Sequence, residues 1–426
     1  MATHTREVDR SQRCVTVMVR SGRITLLVLA VALTGCSSGP GRSDGSPSAG
    51  STTAPSPSAT SPTSAAPFPI ATFAALTEGP VPDGPAAKYQ AALDDLVRSD
   101  GFGEGGGMSA TVMTAEGTWS GTVGTADGAR DLQVDDQFAI ASITKSVVAA
   151  QVMSMAEAGE LGLEDPVADH LPRDLGFDTN GATIRDLLGH RSGIADGYDV
   201  LRGPVQGDPR RAWKPADVLP RVPSTREAIG SFRYAETNYL LLGLVIEHLR
   251  GRPLAEVLRR GVLAVDGMER LIYQPDEKPT EPIALPRGTS STDLEDLGGH
   301  LPSLAAVTAF SGSGVMASDA PSLARWWRAF CAGEIVSQAS LTEMSAFDPD
   351  ASVGDGGYGL GLFNPAYGHA PAVGHQGELF GYMSWAACLP EDGAVIVVLS
   401  NREVQAMSEE LFFRPLRPFV DVLRSG

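Results

Sequence analysis

Apolar positions along the chain change their spacing three times. From Met108 to Met113 and from Gly117 to Val123 the pattern reads as two strands of a hairpin closed by Ala115-Glu116. A helix carrying Ser142 follows and ends at Gly159. Between Leu161 and Gly333 helical spacing dominates, as in Thr183 to His190, Asn238 to Arg250 and Ala320 to Cys331. Strand patterns return at Gly359 to Phe363, Ala372 to Gln376, Gly381 to Leu389 and Ala394 to Ser400, before a last amphipathic helix from about Val404 to Leu423. Strands at both ends with helices between them predict an α/β (α+β) fold: an antiparallel sheet flanked by helices, with a large inserted all-α lobe. A site is expected at the junction of the two.

The N-terminal region reads differently. Arg20 and Arg23 precede a ten-residue apolar stretch, Ile24 to Leu33, too short to span a bilayer and flanked as a signal peptide is. It ends in Leu33-Thr34-Gly35-Cys36, which resembles a bacterial lipobox. Residues 1–35 are therefore expected to be a lipoprotein signal peptide, and Cys36 the lipidated first residue of a protein held at the extracytoplasmic face of the cell membrane. The charged leader before Met18 makes Met18 a second candidate start. From Ser37 to about Pro69 the chain is mostly Ser, Pro, Thr, Ala and Gly, a composition that cannot offset its ordering entropy. The expected organisation is a tether over 36–80 and one folded domain over 81–426. Within the tether Gly41-Arg42-Ser43-Asp44-Gly45 spells a nucleophile elbow, but it has neither the strand before it nor the helix after it that an elbow needs.

Charge narrows the partners. Without residues 1–35 the chain holds 28 basic and 49 acidic residues, a net charge of −21. Nucleic acid and anionic lipid are poor partners for such a surface. Beyond Cys14 and Cys36 only Cys331 and Cys388 remain, either as a disulfide or as buried free thiols. His170, His190, His248, His300 and His369 show no metal-like spacing with carboxylates or thiols and read as structural or surface residues; no metal or cofactor is expected. Trp326-Trp327 reads as helix packing.

Candidate chemistry begins at Phe138-Ala139-Ile140-Ala141-Ser142-Ile143-Thr144-Lys145-Ser146. Residues i and i+3 share a helix face, so the Lys145 amine can reach Ser142 Oγ. A serine hydroxyl is a weak nucleophile until a neighbour takes its proton, and a lysine desolvated by apolar neighbours can be that base. Only four lysines occur, and none of the others has a serine three residues before it. The second motif is Phe232-Arg233-Tyr234-Ala235-Glu236-Thr237-Asn238, where Tyr234 beside Lys145 could exchange protons with Ser142 and the leaving group. The third is Gly374-His375-Gln376-Gly377-Glu378, in which glycine would let an acyl substrate approach the strand backbone. The N–H groups of Glu378 and Ser142 would form an oxyanion hole there.

Three such motifs in this order resemble the class C β-lactamase-related serine hydrolases, which include D-alanyl-D-alanine carboxypeptidases and family VIII carboxylesterases. The resemblance runs from about Ala86 to Arg402 and takes in Leu187-Leu188-Gly189-His190-Arg191-Ser192-Gly193 and Ser313-Gly314-Val315-Met316-Ala317-Ser318. It implies Ser142 as nucleophile, Lys145 and Tyr234 as the proton-transfer pair, and His375-Gln376-Gly377 in place of a Lys-Thr/Ser-Gly strand. It implies an acyl-enzyme hydrolase of the carboxypeptidase or esterase kind, or a penicillin-binding or peptidoglycan-sensing protein that acylates without turnover. Its substrate would be a small molecule or peptidoglycan-derived, its membrane contact would run through the N-terminal lipid alone, and it would be a monomer. One departure stands out: the family's Tyr-x-Asn is Tyr234-Ala235-Glu236 here. An ionised Glu236 cannot donate to a substrate as an amide would, which weighs against a peptidase. Asn238 is expected to point elsewhere, at a helix start.

Overall fold

The computed structural model describes residues 66–98, 105–288, 293–351, 356–367, 372–403 and 413–425. The apolar stretch, Cys36, most of the tether and the first part of the expected C-terminal helix lie outside them.

Strands β1 (Gly107–Thr114) and β2 (Gly117–Gly124) form the expected hairpin, paired from Gly107↔Gly124 to Thr114↔Gly117. Short strands β3 (Phe138–Ala139), β4 (Ile272–Tyr273) and β5 (Met316–Ser318) come next, and β6 (Val373–Leu379), β7 (Tyr382–Leu389) and β8 (Ala394–Ser400) complete the set. The main sheet is antiparallel in the order β2-β1-β8-β7-β6, so the last strand closes onto the first and β6 becomes an edge. Every residue of β7 and β8 is buried, whereas β2, at the opposite edge, alternates buried and partly exposed positions. Burial on both faces is what the continuous apolar runs of β7 and β8 encode.

The helices are α1 (Ile70–Ala74), α2 (Asp83–Arg98), α3 (Thr144–Glu157), α4 (Ile184–Leu188), α5 (Tyr198–Gly207), α6 (Pro215–Val218), α7 (Glu236–Arg250), α8 (Leu254–Arg260), α9 (Leu304–Ala309), α10 (Ala320–Cys331), α11 (Gln338–Met344) and α12 (Arg417–Arg424). On one face of the sheet α2 and α12 pack together, with Tyr89, Trp119 and Phe419 in one apolar cluster. On the other face α10 lies across β1, β7 and β8 with Trp326, Trp327 and Phe330 fully buried, and a Cys331–Cys388 disulfide ties it to β7. Helix α3 runs through the larger cluster, buried at eleven of its fourteen positions.

Several expectations need correction. Packed structure is present before residue 81: Phe68, Phe73 and Leu76 are buried, the two rings stack at 5.8 Å, and Phe68 O accepts from Gln338 Nε2 at 2.7 Å. Three large apolar side chains supply the burial that offsets the ordering entropy of this segment. Gly359 to Phe363 is no strand. Gly361 has φ +75°, and its N–H and carbonyl bond to Leu188 O and Ser146 Oγ, so the middle of the segment is held by α4 and α3, and only Phe363 meets the sheet, exchanging backbone bonds with Gly374 of β6. The inserted lobe is helical but not all-α, because β4 and β5 lie within it and pair with β3 in the order β3-β5-β4. Strands of two or three residues are too short to leave a periodic signal.

Candidate active site

Ser142 sits where the edge strand β6 meets the start of α3. A single 3₁₀ turn, Ala141–Ile143, carries it directly into that helix. Ala141 has φ +46°, a conformation that is costly for any residue with a Cβ and is kept only where surrounding contacts hold it. Those contacts are present: Ile140 N–H donates to Met316 O at 2.9 Å, and Ser384 Oγ donates to Ile140 O at 2.7 Å. Gly377 is the tightest point. A Cβ there would lie 2.4 Å from Ile140 O and 2.8 Å from Ser142 N, so only glycine lets β6 come this close to the nucleophile.

Lys145 is fully buried, and its Nζ makes three bonds: 2.9 Å to Ser142 Oγ, 2.7 Å to Glu236 Oε2 and 2.9 Å to Ser313 O. A carboxylate and a carbonyl can only accept. When Lys145 gives up its proton, its two remaining N–H groups can stay on Glu236 and Ser313 while the lone pair turns toward the Ser142 hydroxyl, the arrangement a general base needs. Burial lowers the Lys145 pKa from its usual value, and the Glu236 carboxylate opposes that shift.

Tyr234 completes the group. Its ring centre is 4.9 Å from Lys145 Nζ and its hydroxyl is hydrogen-bonded to Ser142. Burial, with the Glu236 charge second, raises its pKa well above the usual phenol value, so it stands as a neutral O–H that can pass a proton. His190 positions it. The His190 ring lies 4.2 Å from the Tyr234 ring, and its Nδ1 accepts from Ala235 N–H at 3.2 Å and from the Asn238 amide at 3.1 Å. Asn238 also reaches Ser192 Oγ at 2.7 Å and is buried, pointing away from the nucleophile as expected. Burial, then the Lys145 charge, depresses the His190 pKa well below its usual value.

A cavity of about 370 Å³ opens over Ser142. Tyr234 and Glu236 form its floor with Ser142, β6 contributes Gln376 and Glu378, and the loop entering α5 contributes Asp196 and Tyr198, with Phe363 alongside. Glu236 thus holds two positions at once: it lines the cavity, where it was expected, and it is also the ion-pair partner of Lys145, which the spacing did not reveal.

Strand parity separates the residues of the third motif. Gly374 exchanges backbone bonds with Phe363 rather than with β7, at 3.0 and 2.8 Å, so Gln376 and Glu378, two and four residues on, likewise turn their backbone groups to the open edge. The Glu378 N–H accordingly lies on the side from which Ser142 approaches. His375 does not share this position. Expected as a catalytic residue, it is fully buried outside the cavity lining, its Nδ1–H donates to Gln376 O at 2.5 Å, and Nε2 lies 3.4 Å from the Tyr358 hydroxyl. Burial and the Lys145 charge push it down to about 3, so it is a neutral ring that holds the strand.

Sequence reasoning missed Asp196, Tyr198, Phe363 and Glu403, and it gave Ser313, the first residue of the Ser313 to Ser318 stretch, no part in holding Lys145. Burial and the Glu236 charge raise Asp196 to about 6 while it accepts the backbone N–H groups of Glu236 (3.0 Å) and Tyr198 (3.1 Å). Burial and a hydrogen bond with Glu403 raise Glu378 to about 7, against the pull of Arg202. Only the place of Asp196, just beyond the Leu187 to Ile194 stretch, could have drawn notice. No group of His, Cys, Asp and Glu among the described residues could hold a metal.

The Beta-lactamase family profile matches residues 93–413. The chain is 26% identical over 343 residues to penicillin-binding protein 4* of Bacillus subtilis, covering 73% of this chain and 72% of that one. It is 27% identical over 307 residues to penicillin-binding protein 4 of Amycolatopsis lactamdurans, covering 66% and 76%. Among solved structures, the D-amino acid amidase of Ochrobactrum anthropi SV3 superposes with a TM-score of 0.64 at 25% identity, covering 79% of this chain and 99% of that one. With a serine hydrogen-bonded to both a buried lysine and a tyrosine at its sheet edge, the chain belongs to the beta-lactamase family of serine hydrolases.

Proposed function

We propose that the protein hydrolyses small esters or amides through an acyl-enzyme on Ser142. One observation carries this reading: Lys145 Nζ lies 2.9 Å from Ser142 Oγ with its other two bonds on obligate acceptors. Ser142 Oγ adds to the carbonyl carbon as its proton passes to Lys145, and the N–H groups of Ser142 and Glu378 take the developing oxyanion. Tyr234, in contact with both the serine and the ammonium, protonates the leaving group; water then attacks the ester and the protons return. The D-alanyl-D-alanine carboxypeptidase reading draws support from the penicillin-binding relatives, and the esterase reading from Glu236 and His375, which leave a substrate carboxylate without a cation. Assaying nitrocefin, p-nitrophenyl esters and D-Ala-D-Ala peptides side by side separates them: turnover of esters alone supports the esterase, release of D-alanine the carboxypeptidase, and a burst without a steady state an acylating sensor.

The lipobox-like Leu33-Thr34-Gly35-Cys36 supports a place at the outer face of the cell membrane, with Cys36 as the lipidated residue. Mass spectrometry of the membrane fraction tests this, and an unmodified Cys36 there rejects it.

A further inference from the structure

Carboxylates reach the cavity from three directions. Asp196 comes from the loop before α5, Glu236 from the first turn of α7 and Glu378 from β6. No lysine or arginine lines the cavity among the described residues. Lys145 lies beneath the floor with three bonds already made inside the protein. Arg202 of α5 acts on Glu378 but is exposed and lies outside the lining. His375, which stands where the family resemblance puts a cation, is buried and neutral. Gln376 Oε1 is enclosed and has no hydrogen-bond partner, which adds a neutral acceptor on β6. A substrate anion would meet only like charge here, and a low-dielectric cleft of one sign concentrates the opposite one.

We propose that this cavity selects acyl substrates bearing an ammonium group next to the scissile carbonyl, held by the carboxylates of Asp196 and Glu378 while Glu236 stays on Lys145. The proposal rests on acyl transfer at Ser142 and names the substrate class for it. The cavity volume of about 370 Å³ suits a small amino-acyl group. Glu236 faces Asp196, and Glu403 faces Glu378, so each holding carboxylate is already repelled by another. A cation placed between them relieves both repulsions, which a neutral group cannot do.

Labelling of Ser142 in the full chain by a fluorophosphonate probe provides the test, run in competition with three matched compounds: alaninamide, N-acetylalaninamide and N-succinylalaninamide, each in both hands. The proposal expects protection in the order ammonium, acetyl, succinyl, with steps of about tenfold for one unit of charge near a partly solvated carboxylate. The kcat/KM values of the corresponding p-nitroanilides should follow the same order. Equal protection by all three, or succinyl protecting best, overturns the proposal while leaving the acyl-enzyme in place. Failure of Ser142 to label at all overturns the acyl-transfer reading instead. Glu378→Gln should bring the ammonium-to-acetyl ratio toward one, and a ratio unchanged in both Glu378→Gln and Asp196→Asn rejects the assignment of these side chains. Should a variant misfold, the ranking in the unmodified protein decides alone.

Discussion

At the floor of the cavity Lys145 meets Glu236 at 2.7 Å and each charge has its partner; around the rim Asp196 and Glu378 face further carboxylates, and both are pushed toward the neutral acid. The floor is closed on itself, since Nζ spends its bonds on Ser142, Glu236 and Ser313. The rim is left unmatched, although a buried carboxylate without a cation costs folding free energy. A group that costs stability and lines the nucleophile's cavity points outward, to something that binds. Floor and rim therefore predict different outcomes when each is disturbed.

The largest effect belongs to the floor. Ser142→Ala should abolish turnover and labelling by a fluorophosphonate or a fluorescent penicillin, and any residual adduct on the purified variant would place the nucleophile elsewhere. Lys145→Ala and Tyr234→Phe should each lower kcat by about a hundredfold or more, the scale of a lost proton-transfer group. Their losses should not add: once one is gone the serine keeps its proton, and the double variant should resemble the worse single. Kinetics on all three variants checks this, and multiplicative losses would split the floor into independent parts.

Gly377→Ala should come next, with a loss of about a hundredfold in kcat, the scale of removing one oxyanion donor. Its Cβ would lie 2.8 Å from Ser142 N and 2.6 Å from Ser384 Oγ, so β6 has to move off the nucleophile. The α3 core does not depend on that approach, and thermal unfolding should change far less than kcat.

Glu236→Gln tests the link between the two regions. The Glu236 carboxylate favours the protonated form of Lys145, so removing it lowers the lysine pKa and should move the acidic limb of the kcat/KM profile to lower pH. The amide-to-ester ratio of kcat/KM should rise as well, because a carboxamide can donate to a substrate and a carboxylate cannot. A limb that stays in place would mean that Lys145 is not the group titrating.

The smallest effect is on stability, and it belongs to the rim. Asp196 is held at about 6 when folded, above the usual carboxylate range. A raised acid pKa means that the folded state binds the proton more tightly, so its stabilising contribution is full below about pH 4 and is lost as pH rises through 6. Asp196→Asn retains the acceptor for the two backbone N–H groups and removes the titration. It should be more stable than the unmodified protein by about 3 kcal/mol at pH 8, with the gap closing toward pH 4. Denaturant unfolding at the two pH values measures this, and a gap independent of pH would place the cost outside Asp196.

Local pattern carried a definite part of this picture. β7 and β8 were legible because both faces are buried and their apolar runs are unbroken, and α10 because its apolar residues recur at helical spacing over Ala320 to Cys331. The hairpin of β1 and β2 was equally plain. Gly359 to Phe363 misled because a short apolar run does not tell a strand from a turned segment that meets the sheet at Phe363 alone. His375 misled for a related reason: residue type and motif position suggested chemistry, while strand register decides which face a side chain takes.

The sequence by itself determined that Ser142 and Lys145 share one helical turn, that a glycine follows two residues after His375, and that strands bracket a helical insert, since each of these is a matter of spacing within a few residues. Only the tertiary structure decided that Glu236 pairs with Lys145 across ninety-one residues, that His190 seats Tyr234, and that Asp196 and Glu378 face one cavity from different elements. The physical reason is that charge pairing and burial are properties of distance and dielectric in space, and no local periodicity encodes which distant carboxylate will stand beside a buried amine.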